Sequence, residues 1–373
     1  MHSVWLDSYE QKRPLPKEIP KSVDVVVVGG GITGVALLVQ LLLHNIKNVV
    51  LLEEHDIGYH ATGRGTGQVC FRGSKLLHQV NSKFYSEFIY NNNKALRLLI
   101  SNLALDVELS DSGGIHLSSS EEETELLKKE AEYLSSSYTV PVEMNKIQID
   151  AIIGCSNTFE YGLYHPNEYT LNPYKLVNGL ARYCTDQRIL TGTRVDGVVN
   201  KGDHLLVNIR NTCSLKTKKI VYCNNTYYNS PEVKRIKTDN ILGNLANFSK
   251  YSFVALNGQA FFRSYEDLVM IGLVNNKSIN PLFDSEVSLS RCKSFAKLNL
   301  PEMNFMNGWA SSICKTPDGL PIIGMVSENE YIMTGFDQFG LSHFLAAGSV
   351  MMDVIAGKNE IENMFNPGRF NNV

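Results

Sequence analysis

The stretch Val25–Glu53, VVVVGGGITGVALLVQLLLHNIKNVVLLE, leaves few choices of fold. An unbroken β-branched run, Val25–Val28, suits a parallel strand buried on both faces. Gly29, Gly31 and Gly34 follow in GxGxxG spacing. The apolar run Val35–Leu43 is then long enough for a helix, and Asn45 stands where that helix should stop. A second apolar strand, Val49–Leu52, leads into Glu53. The order strand, glycines, helix, strand, acid is that of a dinucleotide-binding βαβ unit. Gly29 allows the tight turn, Gly31 lets a pyrophosphate approach the backbone, and Gly34 lets helix and strand pack closely. With Ile32 and Thr33 at the helix start, these glycines form the expected phosphate site. Glu53 lies roughly 20 residues beyond the glycines, where a carboxylate accepts hydrogen bonds from ribose hydroxyls and disfavours a 2′-phosphate. Glu54 beside it joins the cofactor-binding set.

At 373 residues the chain is long enough for two domains. Its net charge of −3 provides no general basic field for nucleic acid or anionic membrane. The seven cysteines are odd in number and scattered, with no CxxC. That pattern argues against a disulfide framework or a zinc site and fits a reducing cytoplasm. The first residues contain no apolar core of signal-peptide length, and no run reaches the ~18 apolar residues of a spanning helix. A cytoplasmic protein without a transmembrane segment, a metal or a nucleic-acid partner is expected. A homo- or hetero-oligomer is compatible with everything above. Residues 1–22 are polar and contain Pro14, Pro16 and Pro20, so they read as an extended arm that Trp5 and Leu6 pin to the body.

After Glu53 the chain reads EHDIGYHATGRGTGQVCFRG. Gly58, Gly63, Gly65 and Gly67 alternate with Thr62, Arg64, Thr66 and Gln68. Backbone-permissive positions beside small hydroxyls suit close wrapping around a polar, planar ligand. The segment resembles one in the D-amino-acid oxidase family of FAD-dependent oxidoreductases. That family includes glycine and sarcosine oxidases, D-amino-acid dehydrogenases and glutamylputrescine oxidase-like enzymes. Glu53, Gly58, Thr62, Gly63, Arg64, Gly67 and Gln68 fall on its pattern, while Gly65 stands where Asn is common. The resemblance implies an α/β fold: a Rossmann-type FAD-binding domain of the glutathione-reductase kind, interleaved with a β-rich α+β substrate domain. The expected division assigns 23–80, 150–225 and 311–373 to the FAD-binding domain. Residues 81–149 and 226–310 then form the substrate domain.

Downstream segments extend the resemblance. Lys75–Leu103 is helix-like, and Ser120–Ser136 is a charged helix whose charges read as a solvated face. VELSDSGGIHLSSS between them reads as a hairpin turning at Gly113-Gly114. His116 reads as structural, since no His or Cys sits near it in the sequence. Asn172-Pro173 forms a helix start. The strand at Arg194–Val199 resembles the one whose backbone meets the adenine, here at Val195. Lys218–Cys223 is a further strand of that domain, followed by Asn224-Asn225 where the family has Ala-x-Gly. Gln259–Gly272 reads as a hairpin turning near Glu266-Asp267 and resembles the family's substrate hairpin, which makes Arg263 and Tyr265 pocket candidates. TPDGLPIIG (Thr316–Gly324) is close to a family signature. Tyr331–Ser342 matches its strand-Gly-x4-Gly-helix element, with Gly335, Gly340 and Leu341 at the flavin and Gln338 where many members have Gly.

The resemblance also informs the substrate. Members acting on amino acids carry an Arg before the TPD motif that pairs bidentately with the substrate carboxylate. Ile313 stands there, and Cys314 replaces the following Pro. Unless Arg72 or Arg263 substitutes, an amine without an anchored α-carboxylate is implied, with Trp309 and Ile313 as an apolar wall. Ser311 occupies the position of the cysteine that anchors flavin in sarcosine-oxidase-like members, and Met270 that of their lysine. The flavin is therefore expected to be non-covalent, with His60 a remote candidate for a link. The expected reaction oxidises a C–N bond of a small amine or amino acid by hydride transfer to flavin N5. The imine is then hydrolysed, and oxygen or another electron acceptor reoxidises the flavin. No catalytic base is assigned. Two alternatives remain: alcohol oxidation on the same fold, and an accessory or electron-transfer subunit of a heteromeric dehydrogenase. A tRNA-modifying role is disfavoured by the charge.

Overall fold

The computed structural model describes residues 3–8, 18–135, 139–155, 157–184, 188–210, 213–225, 233–275, 286–358 and 363–370. The strand Ser22–Val28 lies inside a sheet, parallel to Ser214–Tyr222 on one side and Val49–Leu52 on the other. Glu330–Thr334 and Ile189–Leu190 continue the parallel set outward, and Ile322–Ser327 adds an antiparallel edge. Both faces of the central strands are covered, as the unbroken valine run requires. Val25, Val27, Val49 and Leu51 pack against the helices Ile32–Leu43 and Pro173–Ala181, while Val26, Val28, Val50 and Leu52 pack against Leu205, Val207 and Leu215.

The second sheet runs in the order Asn304–Lys315, Lys234–Asn244, Leu268–Asn275, Ala260–Tyr265, Ser252–Ala255, Gly114–Ser118, Tyr161–His165, Val142–Asn145. One of its faces forms a core with the helices Lys146–Ile153 and Glu286–Asn299 through Ile241, Phe253, Phe262, Ile271 and Phe295. Strand alternation turns Thr238, Asn240, Gly272, Ser311 and Ile313 the other way, toward the first sheet.

Three elements cross the expected partition. The helix Lys83–Asn102 adds Tyr85, Phe88, Ile89 and Leu96 to the core of the parallel sheet. Tyr161–His165 pairs in the second sheet, and Asn304–Lys315 runs through position 311.

Four local expectations are corrected. Gly113-Gly114 is no hairpin turn: Gly114–Ser118 pairs with the distant strands Tyr161–His165 and Ser252–Ala255. The helix Glu121–Ser135 is not merely solvated, because the buried Glu130 accepts the Leu77 and His78 N–H groups at 2.9 Å. His116 does have partners, since the sheet brings His165 to it with ring centres 4.2 Å apart. The arm begins as a short helix, Val4–Ser8, rather than extended. Trp5 is fully buried there and donates from Nε1 to the Gly65 carbonyl at 2.7 Å; residues 9–17 lie outside the described set. No helix among the described residues is long and apolar enough to cross a membrane.

Candidate flavin and substrate site

The C-terminal ends of the parallel strands and the second sheet enclose a cavity of about 310 Å³. Its first end is the glycine turn. Gly29 has φ +111°, and a Cβ there would lie 2.7 Å from the Cys223 carbonyl oxygen. A Cβ on Gly34 would lie 2.0 Å from the Gly29 oxygen, so strand and helix meet backbone to backbone. The helix opens at Gly31 with no side-chain cap, leaving its positive end to the cavity that Gly29, Gly31, Ile32 and Thr33 line. Thr62 Oγ1 accepts the Ile32 N–H at 3.0 Å, which ties the helix start to the glycine-rich segment.

Glu53 follows from the second strand and is almost fully buried. Its Oε2 accepts the Gly30 N–H at 2.5 Å, its Oε1 accepts the His55 N–H at 2.7 Å, and burial holds its pKa above the ordinary value. Glu54 pairs with Arg194 at 2.7 Å, and Arg194 also reaches Asp196. Val195 begins its strand beside them, and all but Asp196 line the cavity.

Thr62, Gly67 and Gln68 line the adjoining wall. Gly67 has φ +75°, and a Cβ there would lie 2.2 Å from the Leu171 oxygen. Gln68 Nε2 donates to the Phe262 carbonyl at 3.1 Å, which aims its other end inward. At the far end Gly340, Leu341, Ile313 and Gln338 line the cavity, and Gln338 Nε2 donates to the Gly258 carbonyl. A Cβ on Gly340 would meet only open space.

Several expected residues shape the wall without forming it. Gly34 and Gly63 are packing positions. Gly335, at φ +76°, makes the turn after its strand. Arg64 donates to the Tyr59 and Ala310 carbonyls and lies over the Tyr59 ring.

Four substrate candidates are absent from the cavity lining. Arg72 is buried against the Phe339 ring and donates to the Gly73 and Ser74 carbonyls and to Asn257 Oδ1. Arg263 donates to the Gly67 carbonyl and lies over Trp5, and burial pulls its pKa down to about 10. Tyr265 packs edge-on to Trp5 at 4.6 Å. Trp309 Nε1 donates to the Arg64 carbonyl at 2.9 Å. The N-terminal helix and the Thr62–Arg64 turn cover the end of the sheet that carries these last three. In exchange the cavity gains Thr238, Asn240, Val274, Asn224, Asp337 and His60. The Thr-x-Asn alternation on one strand was the readable signal for the first two.

Gln68 Oε1, Asn224 Oδ1, Asn240 Nδ2, Asp337 Oδ1 and Gln338 Oε1 are buried without a hydrogen-bond partner, and all belong to cavity-lining residues. Buried polar atoms are almost always paired. Their gathering around one cavity, with the uncapped helix and the room at Gly340, fits a large polar ligand such as FAD.

Residues 24–354 match the model of the family described as FAD dependent oxidoreductase, DAO. In sequence the chain is 20% identical to the "Putative Rieske 2Fe-2S iron-sulfur protein YhfW" of Bacillus subtilis (strain 168), over 93% of this chain and 71% of that protein. In structure it is similar to L-proline dehydrogenase from P. horikoshii, with a TM-score of 0.81, 18% identity, and coverage of 95% of this chain and 99% of that one. Glycine oxidase from Geobacillus kaustophilus gives a TM-score of 0.79 at 16% identity, over 94% and 98% of the two chains. At these identities the structural likeness establishes the fold. The family match spans both sheets and every cavity wall, and the chain therefore belongs to the DAO family of FAD-dependent oxidoreductases.

Proposed function

We propose that this flavoprotein oxidises the C–N bond of a small amine that carries no anchored α-carboxylate. One observation carries the reading. The wall built by the second sheet presents Thr238, Asn240, Val274, Ser311 and Ile313. Among the described lining residues Arg194 is the sole lysine or arginine, and Glu54 and Asp196 already engage it. An aliphatic position packed against Val274 and Ile236 offers a carboxylate no hydrogen bond and a costly desolvation.

FAD, when bound, supplies the two-electron acceptor for a hydride from the carbon next to nitrogen. The residues of this chain bind and orient. Gly29, Gly31, Ile32 and Thr33 would hold the pyrophosphate, Glu53 the ribose, and Val195 the adenine end. Gln68, Gly340 and Leu341 would frame the ring system. Asn240, Thr238 and Ser311 offer hydrogen bonds to a neutral amine, and Ile313 and Val274 exclude water from its carbon substituents. The cofactor is held without a covalent link. Cys314 is fully buried outside the cavity lining, and burial raises its thiol pKa to about 12. His60 lines the cavity within the aromatic group of His55 and Tyr59. All seven cysteines are free, in keeping with a reducing compartment.

The test is anaerobic bleaching of the flavin band by a panel of primary and N-methylated amines beside glycine, sarcosine and D-amino acids. Amines without a carboxylate should reduce the flavin fastest. Faster reduction by glycine or a D-amino acid would overturn the reading. Admitting air afterwards separates an oxidase from an enzyme that needs another acceptor.

A further inference from the structure

A second cluster of chemically active side chains lies outside the flavin cavity, where the second sheet meets a short two-stranded ladder. Gly114–Ser118 and Tyr161–His165 run antiparallel, with Gly114 opposite His165 and His116 opposite Leu163. His116 and His165 are thus diagonal neighbours on one face of the sheet, within reach of each other. The short ladder of Gln68–Val69 with Tyr169–Thr170 pairs Val69 with Tyr169, so the next residues, Cys70 and Glu168, emerge at its same end. These four positions are scattered through the sequence, and the fold alone brings them together.

The thiol of Cys70, a ring nitrogen of His116 and a carboxylate oxygen of Glu168 lie within 4.8 Å of one another. Each of the four side chains belongs to a residue about 1% exposed. His116 Nε2 is 2.9 Å from Glu168 Oε1, yet it makes no hydrogen bond there. Both nitrogens of both imidazoles, and Glu168 Oε2, have no hydrogen-bond partner among the described residues. The Phe71 N–H, donating to Glu168 Oε1 at 2.6 Å, fixes the carboxylate's orientation.

We propose that Cys70, His116, His165 and Glu168 form a buried site for a divalent transition-metal ion, zinc by donor chemistry. One thiolate, two imidazoles and one carboxylate make the mixed S, N, N, O set that a borderline-soft, tetrahedral ion accepts. A dication balances the thiolate and the carboxylate, so the metal and its four ligands carry no net charge, as burial favours. Zinc bonds of about 2.0–2.3 Å separate tetrahedral donors by roughly 3.3–3.8 Å, so rotation of these side chains closes the cluster on an ion. The ion would clamp the ladder carrying Gln68, a cavity wall residue, to the second sheet.

The protein with its flavin, purified without chelators and supplied with zinc, is assayed for metal by mass spectrometry and for ligands by zinc-edge X-ray absorption. About one zinc per chain is expected, with one sulfur at about 2.3 Å and the remaining neighbours at about 2.0–2.2 Å. Cys70→Ser and His116→Gln should each lower zinc occupancy at least tenfold. Absence of bound zinc, or a zinc shell without sulfur, would overturn the proposal. The absorption measurement on the unaltered protein decides it even where a variant fails to fold.

Discussion

Gly34→Ala separates the packing role of the glycine turn from the phosphate-holding role proposed for it. The added Cβ would lie 2.0 Å from the Gly29 carbonyl oxygen, and ordinary contact begins at 3.4 Å, so the helix must retreat by about 1.4 Å. The obstacle is backbone at the end of a strand paired on both sides, so the helix start is the part that moves. It carries the Ile32 N–H, bound to Thr62 Oγ1 at 3.0 Å, and the Gly30 carbonyl, bound by the Gly58 N–H at 2.9 Å. Overpacking of this kind costs about 1–3 kcal/mol of stability. Each hydrogen bond from a helix-start N–H to a charged phosphate contributes about 1.5–3 kcal/mol, so losing one weakens FAD binding roughly ten- to 150-fold. Apoprotein titrated with FAD, followed by fluorescence quenching, reads the affinity, and thermal melting reads the stability. Gly348→Ala is the control. Its Cβ would meet Gln40 Oε1 at 2.4 Å, the end of a side chain near the far end of the Ile32–Leu43 helix, and should leave FAD affinity unchanged. If Gly34→Ala melts lower but binds FAD within twofold of the unaltered protein, the helix start does not carry the phosphate.

Three further outcomes follow from the site and its surroundings. Glu53→Gln turns an amide NH₂ toward either the Gly30 or the His55 N–H, and FAD affinity should fall about tenfold, the loss of one charge-assisted bond; an unchanged titration would remove Glu53 from the cofactor site. Ile313→Arg should raise the rate of flavin reduction by glycine relative to the preferred amine at least tenfold, and an unchanged ratio would place the carboxylate elsewhere. Burial pushes the Glu130 carboxyl up, but the His78 side chain and the Leu77 and His78 N–H groups outweigh it and hold the pKa below the usual value. Its contribution to stability is therefore complete above the ordinary glutamate pKa of about 4.3 and is lost as pH falls through the lowered folded value. Glu130→Gln should lower the melting temperature at neutral pH, with the difference closing in acid; a difference independent of pH would contradict this.

The cofactor half of the site was legible because its constraints are local. A valine run, three spaced glycines and an acid each act through the backbone within one βαβ unit, and the cavity lining contains Gly29, Gly31, Ile32, Thr33 and Glu53 as a group. The substrate half was less legible for a definable reason. Alternation along a strand tells which residues share a face, but not how far a cavity extends along that face. Phe261, Arg263 and Tyr265 alternate on one strand, yet only Phe261 lines the cavity. Trp309, Ser311 and Ile313 behave alike, with Trp309 excluded. The boundary is drawn by Trp5, which is distant in sequence and covers the Arg263 and Tyr265 end. The Cys70, His116, His165 and Glu168 cluster was illegible for a stronger version of the same reason. Its members come from two ladders that meet only in the folded chain.

The register of the second sheet suggests how such a wall sets its substrate. Lys234–Asn244 pairs Thr238 with Val274 and Ser311, and Asn240 with Gly272 and Trp309. The first row offers the cavity one residue from each of three strands, and the second offers only Asn240 and Gly272. Gly272 keeps its row low: a Cβ there would lie 2.7 Å from Asn240 Oδ1 and 2.9 Å from Thr66 Cγ2. Ile313 belongs to a different row and packs with Ile236 and Val274 in an apolar cluster of its own. A guanidinium at position 313 would enter that cluster with its charge uncompensated until a carboxylate arrived, whereas isoleucine is stable there without ligand. A carboxylate anchor at this position therefore works best with a polar neighbour in the same cluster. Val274 is the position facing Thr238, and Val274→Asn combined with Ile313→Arg should accept glycine better than either change alone. Equal activity of the double and single variants toward glycine would show that position 313 acts without help from its cluster neighbour.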